Sequence, residues 1–143
     1  MKKKNWKYGS DLGLHIECPP KVCSPVTTTA YRFCHSPAEP GDFLPTAYVP
    51  GARPLGKDLC CTDYSLSLFI DRKKAADRLN HLCKQHPRFA IRAGKCLASV
   101  QISPTHGEAT KPCKKFTHFE LFEYEGCDLL GIVQDDDVEE VVE

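Results

Sequence analysis

Polar and apolar residues alternate along several stretches of this chain, and each such stretch predicts a β-strand. In DYSLSLF (63–69), Ser65 and Ser67 share one face with Phe69, and the other apolar residues share the opposite face. The stretch TTTAYRFC instead has the β-branched and aromatic composition of a strand. The predicted strands are 27–34, 63–69, 95–102, 117–124 and a short final one at 129–133.

Between the second and third strands, apolar residues recur every three to four positions, which predicts a helix from Asp71 to about His86. Asp71 is a favourable N-cap, and Pro87 ends the helix. We expect one apolar stripe to face the sheet and the charged residues, Arg78 among them, to face water. The expected packing sets Ala76, Leu79 and Leu82 against Leu66, Leu68, Val100 and Ile102.

The order of these elements predicts an α+β fold with one mixed or mostly antiparallel sheet, one main helix and a long Pro-rich loop at 36–57. A length of 143 residues suits one domain with tails. We therefore expect an irregular basic segment at 1–25, a single domain at 26–133 and an acidic tail at 134–143. Both ends are expected to be disordered or loosely held.

Charge is balanced, with 19 basic and 19 acidic residues, which argues against the broad positive field of a nucleic-acid binder. The lysines at the start (Lys2, Lys3, Lys4 and Lys7) are not followed by an apolar segment, so we expect no secretory signal. No apolar run approaches the roughly 18 residues of a membrane span. These features favour a cytoplasmic protein with neither a membrane nor a nucleic acid as its partner.

Nine cysteines are many for this length. In a reducing cytosol we expect them to be free thiols that pack as small core residues. The metal candidates are His15, Cys18, Cys23, Cys34 and His35, but the spacing Cys18-x4-Cys23 is slack for zinc and no second short pair follows. The adjacent pair Cys60-Cys61 suits neither a zinc knuckle nor a normal disulfide. We therefore predict no metal site.

Common catalytic and phosphate-binding motifs are absent. Six histidines give many possible Cys–His pairs without singling one out, and the adjacent Cys34 and His35 would point to opposite faces of a strand. No Gly-rich turn enters the helix at Asp71, so neither a P-loop nor a dinucleotide fingerprint is present. The lysines of the later loop (Lys111, Lys114 and Lys115) are expected to be solvated.

Polar residues of three predicted strands form the best candidate site. Arg32 lies among aromatic residues, either as an edge residue reaching solvent or as a guanidinium that binds an anionic ligand. Ser65 and Ser67 share one face by their spacing, and so do His118 and Glu120. We expect any site to lie where these two faces meet, beside the Pro-rich loop.

The order Tyr31-Arg32, then SLSLF running into a helix, then HFE before Gly126 resembles the Arg–Ser–Glu layout of ADP-ribosyltransferase-like folds. This resemblance implies that Arg32 grips the phosphates of NAD and that Ser65 and Ser67 shape the nicotinamide pocket. It also implies that Glu120, with His118 beside it, is catalytic. The family's Ser-Thr-Ser is Ser-Leu-Ser here, and its Glu-x-Glu is His118-x-Glu120.

SLSLF, ASVQI and HFELFEYEG are also similar to a group of small bacterial proteins of uncharacterised function, which suggests a conflict, defence or toxin context. The alternative is a non-enzymatic module, such as an inhibitor or immunity-type accessory that binds another protein. Phe43, Tyr48 and Val49 of the Pro-rich loop would then be its anchors, and the acidic tail would dock on a basic partner.

Overall fold

The computed structural model describes residues 5–15, 17–49 and 59–142, and its strands form one six-stranded sheet. The strands are β1 (Thr28–Cys34), β2 (Leu66–Phe69), β3 (Cys96–Ile102), β4 (Gly107–Ala109), β5 (His118–Glu123) and β6 (Val138–Glu140). The helices are α1 (Gly9–Leu12), α2 (Arg72–Gln85), α3 (Pro87–Ala93) and α4 (Leu129–Ile132). The sheet order is β4-β5-β2-β1-β3-β6, and all its pairs are antiparallel. The predicted α+β class is confirmed.

One side of the sheet, called the closed face here, carries the larger apolar core. It includes Leu66 and Leu68 of β2, Val100 and Ile102 of β3, and Leu121 of β5. The loop at 38–43 and α4 cover it, and Phe43 and Leu129 enter the core. The alternation predicted for these strands accounts for this face, because residues two apart point to the same side.

The opposite side, called the helix face here, packs against α2 and α3. Ala75 and Leu79 of α2 contact a cluster built on Phe69 and Leu97. The packing predicted for α2 is therefore wrong, because Leu66, Leu68, Val100 and Ile102 all lie on the closed face. The chain enters α2 directly from β2, and the Asp71 side chain accepts a hydrogen bond from the main chain of Lys74, as expected of an N-cap.

A second helix, which the sequence did not predict, follows α2 at once. Pro87 ends α2 and also occupies the first position of α3, where its missing N–H costs nothing. Gly94 terminates α3 with φ +87°, and a Cβ there would lie 2.1 Å from the carbonyl oxygen of Cys34. Only glycine allows this close approach, which holds the end of α3 against the end of β1.

Two further segments differ from the prediction. The short strand expected at 129–133 is wrong: this segment forms α4, and the Asp128 side chain caps it by accepting from the main chain of Gly131. A short apolar run is compatible with a strand or a helix, and here the Asp128 cap stabilises the helix. The expected loop at 103–115 contains β4, which pairs with β5.

Both ends of the described chain are held by the fold, so the expectation of loose ends is wrong for them. Trp6 forms a β-bridge with Tyr124, and Leu12 of α1 is buried. At the other end β6 pairs with β3, while Val138, Val141 and Val142 pack against the two cores. The valines between the acidic residues account for this pairing. Lys2 to Lys4, residues 50–57 of the Pro-rich loop and Glu143 lie outside the described residues.

The sequence led us to expect free thiols throughout, but two of the cysteines form a disulfide. Cys18 and Cys61 form a disulfide, which joins the N-terminal segment to the turn before β2. Cys34, Cys96 and Cys127 are buried free thiols, in agreement with the core role expected of them. Within the described residues, no helix combines the length and apolar character needed to cross a membrane.

Candidate functional site

Ser65, Ser67, His118 and Glu120 meet on the helix face, along the line where β2 pairs with β5. The register sets Ser67 opposite Glu120 and Phe69 opposite His118. Residues two apart in a strand share a face, so antiparallel pairing places Ser65 and Ser67 beside His118 and Glu120. We call these four residues the polar seam.

Hydrogen bonds connect the whole polar seam. The Ser65 hydroxyl donates to Oε2 of Glu120, and the Ser67 hydroxyl lies 3.4 Å from Oε1 of the same carboxylate. His118 Nε2 lies 3.0 Å from Oε1 and also contacts the Ser67 hydroxyl. The main-chain N–H of Glu120 donates to Thr110 Oγ1 at 2.9 Å. Three side chains therefore surround the Glu120 carboxylate as donors, and the Ser65 hydroxyl shares its one proton between Glu120 and the Thr62 carbonyl at 2.9 Å.

The polar seam differs from the triad of a serine hydrolase. In such a triad the acid bonds to the imidazole nitrogen that faces away from the serine, which orients the ring for proton transfer. Here Glu120 and Ser67 both contact the same nitrogen, Nε2 of His118. The arrangement is suited to present a fixed carboxylate rather than to activate the serine.

Arg32 lies beside the polar seam, but most of its hydrogen bonds go to the main chain. Its Nε donates to the carbonyl of Asp42 at 2.8 Å, Nη1 to that of Ser67 at 2.9 Å and Nη2 to that of Leu44 at 3.4 Å. Burial lowers the pKa of the guanidinium, although Glu120 and Asp42 oppose this shift. Of the five N–H donors of an arginine, two are left for a ligand.

A cavity of about 430 Å³ opens next to the polar seam, between the sheet, α2, α3 and the loop at 41–49. Arg32, Ser67 and His118 line it, so three of the five predicted site residues share its wall. Glu120 reaches it through its contacts with Ser67 and His118, and Ser65 lies one step further away, hydrogen-bonded to Glu120. This volume lies within the range of pockets that bind small organic ligands.

Two arginines that we did not predict as site residues also line the cavity. Arg78 comes from α2, where it was expected to face water, and Arg92 from α3. Their guanidinium carbons lie 4.9 Å from the Phe116 ring and 5.5 Å from the Phe89 ring. Within the described residues, neither arginine forms an ion pair or hydrogen bond, so both charges are available to an anion.

Four phenylalanine rings contribute the apolar part of the wall: Phe33, Phe69, Phe89 and Phe116. The rings of Phe33 and Phe69 stack at 5.1 Å, and the His118 ring lies 5.5 Å from Phe69. Rings of this kind bind planar groups through their faces and edges. The cavity therefore combines aromatic rings with positive charge.

Cys113 completes the wall as an exposed thiol. The main-chain N–H groups of the turn that follows, that of Phe116 above all, lower the pKa of this thiol. The main chain between Cys113 and His118 is a closed turn, in which the Cys113 N–H donates to the His118 carbonyl. Cys113 is thus the reactive type of cysteine.

No family model, curated protein or solved structure matches this chain. Any function proposed for the cavity must therefore be argued from its geometry. Arg78, Arg92 and Cys113 could not be recognised in the sequence, because charged residues of a helix usually face solvent and the cysteines were expected to pack in the core. Only the position of the helix face relative to α2 and α3 brings them together.

The remaining sequence candidates lie elsewhere. Of the proposed metal ligands, Cys18 is in the disulfide, Cys34 is buried, and His35 contacts Asp42 rather than a cysteine. The loop residue Phe43 is buried in the core, and the Tyr48 ring lies 4.7 Å from the Tyr8 ring, tilted against it. In the described part of the Pro-rich loop, these two aromatic residues are not the free anchors that the interaction hypothesis expected.

Proposed function

We propose that the cavity binds a nucleotide-like anion and that its ligand is NAD, used in an ADP-ribosyltransferase-like reaction. The observation that carries the proposal is a cavity that combines four phenylalanine rings with two arginines, neither of which forms an ion pair or hydrogen bond within the described residues. A dinucleotide offers the matching chemistry, since its phosphates are anionic and its bases are planar.

The positions of the charges suggest how the ligand would lie. Arg78 and Arg92 would bind the phosphates, with the two remaining donors of Arg32 as a third contact. The nicotinamide ring would then lie against Phe69 and His118, close to Ser67. This assignment moves most of the phosphate binding from Arg32 to arginines of α2 and α3.

Glu120 would stabilise the positive charge that develops on the ribose as nicotinamide leaves. The bond between the ribose C1′ and the nicotinamide nitrogen breaks, and its electron pair goes to the ring. Water or an acceptor hydroxyl then forms the new bond to C1′, and its proton passes to the Glu120 carboxylate by way of Ser67 or His118, which line the cavity. Ser65, Ser67 and His118 would hold that carboxylate in place.

The test is calorimetric titration with NAD and with ADP-ribose, together with chromatography of released nicotinamide. We expect Arg92→Ala and Arg78→Ala to weaken the binding of both ligands by about tenfold or more, as for the loss of a charge-assisted hydrogen bond. Glu120→Gln should keep binding but abolish nicotinamide release. Arg88→Ala is the matched control, because Arg88 is an exposed residue of α3 that does not line the cavity.

Each outcome discriminates between readings of the site. Binding that depends on Arg78 and Arg92 but yields no nicotinamide would retain a nucleotide-binding pocket and reject the transferase chemistry. Binding that Arg88→Ala weakens as much as Arg92→Ala would point to nonspecific charge attraction. Absence of heat with both ligands would remove the proposal.

A non-enzymatic interaction subunit is the second candidate, and one edge of the sheet favours it. Among the described strands β6 pairs with β3 alone, so its outer main-chain groups have no strand partner in that part of the chain. Glu139 and Glu140 on this edge are exposed; Glu139 pairs with Arg72, so Glu140 is the acidic residue that would meet a basic partner. Truncation before Val138 should then abolish capture of that partner and leave the cavity's ligand binding unchanged.

The setting that we propose is the bacterial cytosol, in a conflict or defence system, and it is supported by the sequence resemblance alone. The Cys18–Cys61 disulfide gives a direct check of the compartment. Mass spectrometry of the protein trapped in intact cells with an alkylating agent would count its free thiols. Nine alkylated cysteines would agree with a reducing cytosol, and seven would favour an oxidising compartment.

A further inference from the structure

We propose that His35, Glu39 and Asp42 form a binding site for a divalent transition-metal ion at the rim of the cavity. His35 Nδ1 lies 2.6 Å from Asp42 Oδ1 and 3.7 Å from Glu39 Oε2. One ligand atom from each of the three residues lies within 4.8 Å of the others. The proposal does not depend on the identity of the organic ligand.

The orientation of His35 is the first argument. Its Nε2 lies 2.9 Å from the main-chain oxygen of Ile91, and since a carbonyl can only accept, Nε2 must carry a proton. In a neutral imidazole the lone pair is then on Nδ1, and it points at the Asp42 carboxylate. Metal-binding histidines are oriented in the same way, by a hydrogen bond from the other ring nitrogen.

The two facing acceptors need a positive charge between them. A lone pair on Nδ1 and a carboxylate oxygen repel each other at 2.6 Å unless a proton or a metal ion is shared. Ligands on one metal ion with bonds of about 2.1 Å lie roughly 3 Å apart, so a small opening of this pair would admit the ion. Glu39 closes the third side.

Asp42 is held as a rigid ligand. Its side chain is 3% exposed, and Oδ2 accepts the main-chain N–H groups of His35 at 2.9 Å and Glu39 at 2.8 Å. These bonds fix the carboxylate and leave Oδ1 directed at His35. The site is therefore organised before an ion arrives, which reduces the cost of binding.

The ligand set defines the class of ion. One imidazole and two carboxylates suit Mn²⁺, Fe²⁺ or Zn²⁺, and the two negative charges balance a divalent ion. Glu39 is 62% exposed, so water can fill the remaining positions. Asp42 and Gly41 also line the cavity, which places the ion where an anionic ligand could contact it.

Mn²⁺ alone is the probe for the test, because thiols of the free cysteines bind it weakly and would compete for Zn²⁺. The fraction of bound Mn²⁺ is measured by electron paramagnetic resonance on the full chain. We expect one ion per chain, and at least tenfold weaker binding in Glu39→Gln and in His35→Gln. Amide NMR signals of Gly41 and Ile91 should broaden before that of Gly126.

The controls are Glu125→Gln and His81→Gln, which remove an exposed acid and an exposed histidine elsewhere. Both should bind Mn²⁺ within twofold of the wild type. Because the Glu39 side chain is largely exposed, its variant should keep the wild-type urea midpoint and separate loss of a ligand from loss of the fold. No binding by the wild type, or equal binding by Glu39→Gln and Glu125→Gln, would overturn the proposal.

Discussion

The two faces of the sheet are built from the same strands but differ in how they are filled. On the closed face, apolar residues of β2, β3 and β5 pack against Phe43 and α4, and Glu123 at the end of β5 is buried beside them with Lys7 as its ion-pair partner. On the helix face, the same strands present serine, histidine and glutamate, and α2 and α3 leave a cavity beside them. The closed face thus stabilises the fold, and this allows the helix face to carry polar groups at a cost.

The largest expected difference between the faces is in thiol chemistry. Burial raises the pKa of Cys127, in the closed-face core, to about 12, whereas hydrogen bonds from the main chain lower the pKa of Cys113 at the cavity. At pH 7 the thiolate fraction of Cys127 is then about 10⁻⁵, whereas that of Cys113 is higher than in an ordinary cysteine. We expect Cys113 to react with iodoacetamide at least about a thousandfold faster, as measured by mass spectrometry of the modified peptides.

Cys60 is the internal control for this measurement. Cys60 is also exposed, but its sulfur lies 3.3 Å from the Asp63 carboxylate. The Cys113 sulfur lies instead beside the main-chain N–H groups of a closed turn. Exposure alone would make Cys60 and Cys113 equally reactive. Equal labelling of these two cysteines would mean that the turn at 113–118 does not activate its thiol.

Replacing a leucine by alanine should cost more unfolding free energy on the closed face than on the helix face. Leu121 is fully buried in the closed face, so Leu121→Ala should lower the free energy of unfolding by about 2–5 kcal/mol. Leu82 lines the cavity and is only half-buried, so Leu82→Ala should cost about 1 kcal/mol. Urea unfolding of both variants measures the difference, and similar losses would show that the helix face is packed as tightly as the closed face.

The polar seam should depend on complete hydrogen bonding. Ser65→Ala removes a donor to a Glu120 carboxylate that stays largely buried, which should cost about 1–3 kcal/mol of unfolding free energy. Ser99→Ala is the matched control, since Ser99 lies opposite Tyr31 in the β1–β3 ladder and has no side-chain hydrogen bond within the described residues. Its loss should stay within about 0.5 kcal/mol. If both variants unfold alike, Ser65 does not hold Glu120.

Much of this comparison could be predicted from the sequence. Period-two alternation gave β2, β3 and β5, and it also placed Ser65 with Ser67 and His118 with Glu120, because side-chain direction in a strand follows from spacing alone. The helix at 71–86 followed from its apolar stripe and its Asp71 cap. These are local properties, so a single sequence carries them.

What the sequence could not provide is the relation between elements. Whether α2 covers Phe69 and Leu97 or the leucines of the opposite face depends on how the chain leaves β2, and no local pattern fixes that. Because the face covered by α2 and α3 could not be predicted, the position of Arg78 and Arg92 in the cavity could not be predicted either. The edge strand β6 was missed because its few valines stand among glutamates and aspartates, which by composition resemble a solvated tail.

Alkaline pH should weaken the closed face through Cys127. Its pKa of about 12 in the folded protein is above that of the unfolded chain, so its contribution is complete below about pH 9 and is lost as pH rises toward 12. At pH 10 the loss is about 1 kcal/mol relative to pH 8. Urea unfolding at the two pH values measures it, and Cys127→Ala should show a smaller decrease than the wild type; an identical decrease would mean that other groups cause it.

The smallest effect should come from the start of α2, which bounds the cavity. Asp71→Ala removes the N-cap bond to Lys74 and should cost about 1 kcal/mol, whereas Lys73→Ala breaks an exposed pair with Asp77 and should cost about 0.3 kcal/mol. Amide hydrogen exchange then shows which elements lose stability in Asp71→Ala. Faster exchange at the start of α2, with β3 unchanged, would show that the helix face opens independently of the closed face. Equal acceleration in β3 would mean that the sheet and its helices unfold as one unit, and that the cavity is as stable as the core beneath it.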